Sequence, residues 1–211
     1  MRCTKLIFAA IAIAALASVS FAESPIGPTF TAGDALCGRF TQSRKLKDIA
    51  QPLNSDGSFV LEPGRGLIWR LEHPVQMTTV ISPAGIRQII GNNEVQRIET
   101  VKVPVIAHFY YAMNGALLGE WTALKKDFTV QSMGDSHAWR IVLTPLRSTD
   151  PLVAAFASIA IKGGKMVDAV DITRANGDSE EIRFFDQKIS SLMTHPDDAK
   201  LLEDKDLKPA N

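Results

Sequence analysis

The 211-residue sequence predicts a mainly β protein with a few helices, built on one large antiparallel sheet. Three observations lead there. Apolar residues recur at period two over most of the chain, in short runs rich in β-branched and aromatic residues. Those runs are separated by Pro83-Ala84-Gly85, Gly91-Asn92-Asn93, Gly134-Asp135, Gly163-Gly164 and Asn176-Gly177-Asp178, residue types that tolerate the backbone of tight hairpins. Between them, Val105 to Lys126 breaks the alternation and is rich in Ala, Leu and aromatic residues, which predicts a helical pair interrupted around Asn114-Gly115.

At the N-terminus, Arg2 and Lys5 precede an apolar run from Leu6 to Ala17 and a small-x-small site, Ser20-Phe21-Ala22. This reads as a signal peptide over 1–22, cleaved before Glu23. The apolar run is about a dozen residues, short of the roughly 20 that a membrane-spanning helix needs. Cys3 lies in the charged region and not at the cleavage point, so the chain lacks the arrangement that would make it a lipoprotein itself.

Residues 23–204 are expected to form one domain, since about 190 residues bury a real core without disulfide staples. Strands are predicted near Gly38 to Arg44, Gly57 to Glu62, Gly66 to His73, Met77 to Ser82, Ile86 to Ile90 and Glu94 to Thr100. Further strands follow at Phe128 to Ser132, Trp139 to Thr144, Ala157 to Lys162, Val167 to Thr173 and Glu181 to Asp186. Because short turns join most of them, a meander of hairpins is the economical topology. Pro196 to Asp204 reads as a helix with Asp197 and Asp198 in its first turn, where negative charge is favourable. Lys205 to Asn211 reads as a solvated tail.

Composition and motifs exclude several functions. Acidic and basic residues balance at 23 each, and removing Arg2 and Lys5 with the signal leaves 21 basic against 23 acidic, which argues against nucleic acid as a partner. Cys37 alone would survive processing and reads as a small buried apolar side chain. No Gly-x-Ser-x-Gly elbow, phosphate loop or dinucleotide fingerprint is present, so no enzyme is expected. His73, His108, His137 and His195 are scattered without metal-ligand spacing, so neither a metal nor another cofactor is implied. Glu180-Glu181 and Asp197-Asp198 read as a solvated strand end and a helix start rather than a catalytic carboxylate pair.

Strand parity sorts the side chains of the sheet. Leu67, Trp69 and Leu71 share one face, with Ile68, Arg70 and Glu72 on the other; Phe59 and Leu61 oppose Val60 and Glu62. The first sets are assigned to a concave face covered by the central helices. Parity alone is equally satisfied by an ordinary filled core.

The ordered set of short patterns resembles the LolA family of periplasmic lipoprotein carriers. It runs from Phe40-Thr41-Gln42 through Gly57 to Pro63, Leu67 to Pro74 and Ile81 to Gly85. It resumes at Phe128-Thr129-Val130, Trp139 to Pro145, Ile159-Ala160-Ile161 and Val167 to Phe185, covering most of 38–186. The resemblance implies an incomplete antiparallel β-barrel closed by a helical lid, with acyl chains held between them. It places the cavity lining on Phe59, Leu61, Leu67, Trp69, Leu71, Met77 and Ile81 of the sheet and on Phe109, Met113, Leu117 and Leu118 of the helices. It further implies an inner-membrane transporter and an outer-membrane receptor as partners of a monomeric carrier of acylated lipoproteins.

Two departures accompany it. Where the family's carriers place a lid-holding arginine before the proline, this sequence has Glu62, and Arg65 beyond Pro63 is the nearest substitute for a lid latch. The N-terminal helix is expected to be short, about Thr31 to Cys37, because Pro25 and Pro28 precede it. The expected function is a periplasmic, non-enzymatic carrier of lipoprotein acyl chains from inner to outer membrane. A carrier of free lipid, glycolipid or a lipid-like product is one alternative, and a structural or interaction domain of an envelope complex is another.

Overall fold

Eleven strands pair antiparallel into one sheet: β1 Ala35–Lys45, β2 Leu53–Glu62, β3 Gly66–His73, β4 Met77–Ser82, β5 Gly85–Ile90, β6 Asn93–Glu99, β7 Phe128–Gly134, β8 Trp139–Pro145, β9 Phe156–Gly163, β10 Val167–Arg174 and β11 Ser179–Ser190. The computed structural model describes residues 30–99, 122–146, 151–191 and 196–203. The strand order is β6-β5-β4-β3-β2-β1-β11-β10-β9-β8-β7. This is the cyclic order of an up-and-down barrel, with first and last strands paired and one seam open between β6 and β7. The sheet is therefore not closed into a barrel.

Helix is scarce among the described residues: a 3-10 turn at Thr122–Lys126, α1 at Pro151–Ala154 and α2 at Pro196–Leu202. The predicted helical pair overlaps the described chain only at that 3-10 turn; its remainder, with Phe109, Met113, Leu117 and Leu118, lies outside the described residues. So do the signal segment 1–22, His108, His195 and the tail from Lys205. Leu124 of the 3-10 turn and Val153 of α1 join the core on the face assigned to the lid, whereas α2 covers the opposite face.

All eleven predicted strands exist, and the differences are at their ends. The helix expected over Thr31 to Cys37 does not form. Asp34 instead accepts hydrogen bonds from the Thr31 amide at 2.7 Å and the Thr31 hydroxyl at 2.6 Å, closing a turn through Gly33 at φ 87°. Ala35, Leu36 and Cys37 then start β1. Leu36 enters one core while Ala35 and Cys37 enter another on the opposite side, a strand geometry that no helix provides.

Those two cores define the faces. The larger gathers Leu36, Phe40, Phe59, Leu61, Leu67, Ile81, Trp139, Ile141, Leu143, Ile161 and Val167 with Leu124, Phe128 and Val153. Burying a side chain such as Phe40 or Leu61 completely is worth about 1.5–3 kcal/mol each. The smaller holds Ala35, Cys37, Val60 and Ile68 beneath Leu201 and Leu202 of α2.

Two glycines let the larger core form. Gly38 of β1 faces Phe59 of β2, and Gly57 of β2 faces Phe40 of β1. Each ring lies against the glycine opposite it: a Cβ on Gly38 would stand 2.7 Å from Phe59 Cε1, and one on Gly57 would stand 3.1 Å from Phe40 Cζ. The register also shifts at both places, between Cys37 and Arg39 against β11 and between Asp56 and Gly57 against β3. Glycine at a bulge allows a sheet to bend, and an aromatic ring covers the gap left by the missing side chain.

Candidate functional site

Four rings meet on the larger face. Phe40 stacks on Trp69 with centroids 3.7 Å apart, Phe59 lies 6.2 Å from Trp69, and Phe184 meets Phe59 and Trp69 edge-on at 5.3 and 6.1 Å. They come from β11, β1, β2 and β3, which are neighbours, so alternation on each strand is enough to bring them together. Phe40 and Phe59 are fully buried, whereas Trp69 and Phe184 are only half-buried.

The sheet residues expected to line a cavity share this face. Phe59, Leu61, Leu67 and Ile81 are buried in its core, and Trp69 and Leu71 pack against them half-buried. Met77, also half-buried, pairs with Leu71 at the start of β4. Arg65 donates to Glu62 at 2.8 and 2.9 Å and approaches Glu203, after α2, at 3.7 Å. Those are its charged partners among the described residues; the segment that it was expected to hold lies outside them.

The aromatic face changes character along three adjacent strands. On β1 it runs Phe40, Gln42, Arg44; on β11 Phe184, Ile182, Glu180; on β10 Val170, Ile172, Arg174. Register pairs Phe40 with Phe184, Gln42 with Ile182 and Arg44 with Glu180. Glu180 therefore sits at the end of an apolar row, with only 7% of its side chain exposed. Gln42 Nε2 donates to its Oε1 at 2.5 Å, Arg44 Nε donates to its Oε2 at 3.1 Å, and Arg174 stands 3.7 Å from that oxygen. The Arg174 guanidinium lies 5.6 Å above the Phe156 ring.

This corrects the reading of Glu180-Glu181 as a solvated pair. Glu181 stays on the other face, bonded to Arg183, while Glu180 is buried. The signal was present in the sequence: Glu180 has the same parity as Ile182 and Phe184, so a strand starting one residue earlier carries a carboxylate on the apolar face. Asp198 is likewise no solvated helix-start acid. It is 1% exposed and bonded to Arg70 on the opposite face.

The opposite face is polar around its centre. Arg39 donates to Glu72 at 2.9 Å, and Asp56 lies 3.0 Å from His73 Nδ1. The hydrogen bond from Arg39 holds the Glu72 carboxyl below its ordinary value, and the bond to Asp56 followed by the attraction of its charge raises His73. A polar recess of about 360 Å³ lies nearby, lined among others by Thr41, Ser43, Asn54 and Asp56. Among the described residues, no group of three or more His, Cys, Asp or Glu side chains is placed to hold a metal ion.

Fold and face together define a class: an open, meandering antiparallel sheet with a large apolar face that ends in a charged rim. No family model and no curated protein matches the chain. Similar solved structures include a LolA superfamily protein from Nitrosomonas europaea, at 10% identity over 80% of this chain and 90% of that one, with a TM-score of 0.38. The MucA/MucB complex of Pseudomonas aeruginosa is similar at 11% identity and a TM-score of 0.47, over 79% of this chain and 55% of that one. A DUF1329 family protein from Desulfovibrio piger is similar at 11% identity and a TM-score of 0.31, over 84% and 92%. The superfamily that the sequence resembles is thus among the fold's neighbours. At such identities and TM-scores the likeness carries no argument about cargo or partner.

Proposed function

We propose that the protein is a non-enzymatic carrier of the cell envelope, which shields acyl chains on the aromatic face of its sheet while they cross the periplasm. One observation supports this most. The face has a fully buried floor, Phe40, Phe59, Leu61 and Leu67, and beside it a set of large apolar side chains left half-buried: Trp69, Leu71, Val170, Ile182 and Phe184. A filled core completes the burial of such groups, whereas a carrier keeps part of them for its cargo. Each buried methylene contributes about 0.8 kcal/mol, so a modest surface suffices and release stays easy. Lipoproteins in transit from inner to outer membrane are the cargo class that this reading puts first, with free lipid or a lipid-like product as its variant.

The test is mass spectrometry of organic extracts from protein purified from its native envelope without detergent, beside a Trp69→Glu variant. Near-stoichiometric acylated protein or lipid, lost in a variant that still folds, is the expected result. A wild type that is empty and takes up no acyl probe would overturn the reading.

A second reading, an interaction domain of an envelope complex, is favoured by the seam. Among the described residues β7, Phe128–Gly134, pairs only with β8, and it carries no charged residue to discourage strand addition. An extended peptide that protects β7 amides from exchange, together with an empty apolar face, would favour it.

A further inference from the structure

The charged rim has a composition that burial of one carboxylate does not require. We propose that Arg44 and Arg174 form a binding site for the anionic group of an amphiphile whose chain lies along the adjoining apolar rows, making the cargo an acyl compound with a phosphate or carboxylate near its chain. The proposal rests on the carrier reading above and specifies the chemistry of its cargo.

Three observations carry it. First, the two guanidiniums come from strands on either side of β11 and converge on the same oxygen, Glu180 Oε2, at 3.1 and 3.7 Å, yet they remain 43% and 36% exposed. Glu180 acts as the post that holds both of them. Its Oε1 is satisfied by Gln42, which is itself held by the Ser55 hydroxyl at 3.3 Å.

Second, the Arg174 guanidinium makes no hydrogen bond among the described residues. It is fixed from one side by the Phe156 ring and drawn by a carboxylate beyond bonding distance, so its planar fork of donors stays available. The surrounding charges also leave a positive excess. Asp178 accepts from the Lys47 amide at 2.9 Å, and the Lys47 side chain passes beside Gly177. Among the described residues, the carboxylates paired with or placed beside Arg44 and Arg174 are Glu180 and Asp178, with Lys47 bonded to Asp178 through its amide.

Third, the rim is continuous with the apolar face. Ile172 is the register partner of Glu180 and of Ile159, and Val170 that of Ile182 and of Ile161. On the other side Leu53, 50% exposed, is the partner of Arg44. From Phe184 to Glu180 is four residues of strand, about 13 Å. A chain laid over Phe184, Ile182 and Val170 would bring a terminal anion to the two arginines.

The test compares two probes with the same chain, dodecyl phosphate and dodecyl maltoside, by calorimetric titration of the full chain. Inorganic phosphate serves as competitor. The variants are Arg174→Gln and, because a lone substitution can leave Glu180 poorly paired, Arg174→Gln/Glu180→Gln, each checked for an unchanged melting transition. The expected result is dodecyl phosphate binding at least about tenfold tighter than dodecyl maltoside, the size of one charge-assisted contact, with that preference lost in both variants and maltoside binding unchanged. Equal binding of both probes by wild type and variants would overturn the headgroup site and leave the carrier standing. Binding of neither probe would overturn both. Displacement of dodecyl phosphate by equimolar inorganic phosphate would make this a site for a free anion and overturn the amphiphile.

Discussion

Asp198 of α2 bonds through Oδ1 to the Arg70 guanidinium of β3, joining residues 128 positions apart on the face opposite the aromatic cluster. The carboxylate is 1% exposed and its other oxygen, Oδ2, has no hydrogen-bond partner among the described residues, while Arg70 retains 26% exposure. With the Arg87 bond to the Leu201 carbonyl at 2.5 Å, this contact seats Leu201 and Leu202 over Ala35, Cys37, Val60 and Ile68. Removing one partner of a buried pair costs about 3–5 kcal/mol, and the exposure of Arg70 lowers that to about 2 kcal/mol. A seven-residue helix held to the sheet by so few contacts is expected to undock locally before the sheet unfolds. In a chain carrying Cys3→Ser, so that Cys37 is the sole thiol, Asp198→Ala is expected to speed thiol labelling at least tenfold while the urea midpoint moves little. Unchanged labelling would show that the pair does not hold the helix.

Gly57 and Gly38 are expected to differ in tolerance. A Cβ at Gly57 would collide with the Arg70 carbonyl of the paired strand, a backbone atom that cannot swing away. At Gly38 it would meet the Phe59 ring edge and Gln187 Cγ at 2.7 and 3.0 Å, which are side-chain atoms. Overpacking costs about 1–3 kcal/mol, so Gly57→Ala should lie at or above the top of that range and Gly38→Ala near its lower end. Urea denaturation of the two variants, with the order reversed, would contradict the account of how the rings are accommodated.

What was legible depended on whether one face of a strand differs from the other. β3 and β4 match their predicted bounds because Leu67, Trp69 and Leu71 alternate with Ile68, Arg70 and Glu72, and clear turns bound them. At Ala35-Leu36-Cys37 both faces are covered, so all three residues are buried and the alternation that marks a strand disappears. Leu53 to Asp56 failed for the opposite reason. Asn54, Ser55 and Asp56 are polar and carry no alternation, so the predicted strand begins only at Gly57, and it is pairing with Thr41 to Arg44, and of Asp56 with His73, that makes this stretch strand. Of the four rings, Phe59 and Trp69 followed from parity, while Phe40 and Phe184 were not assigned to that face although their strands alternate in the same way. The charged rim did not follow, because Glu180 was assigned to solvent by residue type when its position placed it on the apolar face.

His73 offers a pH test with a definite sign. Its hydrogen bond to Asp56, and then the charge of that carboxylate, raise it above the ordinary 6.5. A group whose pKa is higher folded than unfolded contributes stability that is fully present below the unfolded value and lost as pH rises through the folded value. The contribution should therefore fade above about pH 6.5, and a titration of the His73 ring by NMR should return to its ordinary value in Asp56→Asn. Glu72 behaves oppositely. The Arg39 hydrogen bond lowers it below 4.5, so its contribution is present above that pH and lost on acidification through the lowered value. A His73 titration unmoved by Asp56→Asn would mean that the pair does not persist in solution.

Phe40 and Trp69 touch ring to ring, yet they should fail differently when truncated. Phe40 is completely buried against Gly57, so Phe40→Ala removes a filled volume and is expected to cost about 3–5 kcal/mol in urea denaturation. Trp69 keeps part of its surface open, and less of its burial is at stake when it is replaced by Leu. The expectation for Trp69→Leu is a loss of no more than about 2 kcal/mol in stability, together with at least a fivefold weaker affinity for a dodecyl probe. For Phe40→Ala the stability loss dominates, and the folded fraction should bind with nearly unchanged affinity. If Trp69→Leu costs as much stability as Phe40→Ala and leaves probe affinity unchanged, the half-buried rings are core, and the aromatic face is not where an acyl chain rests.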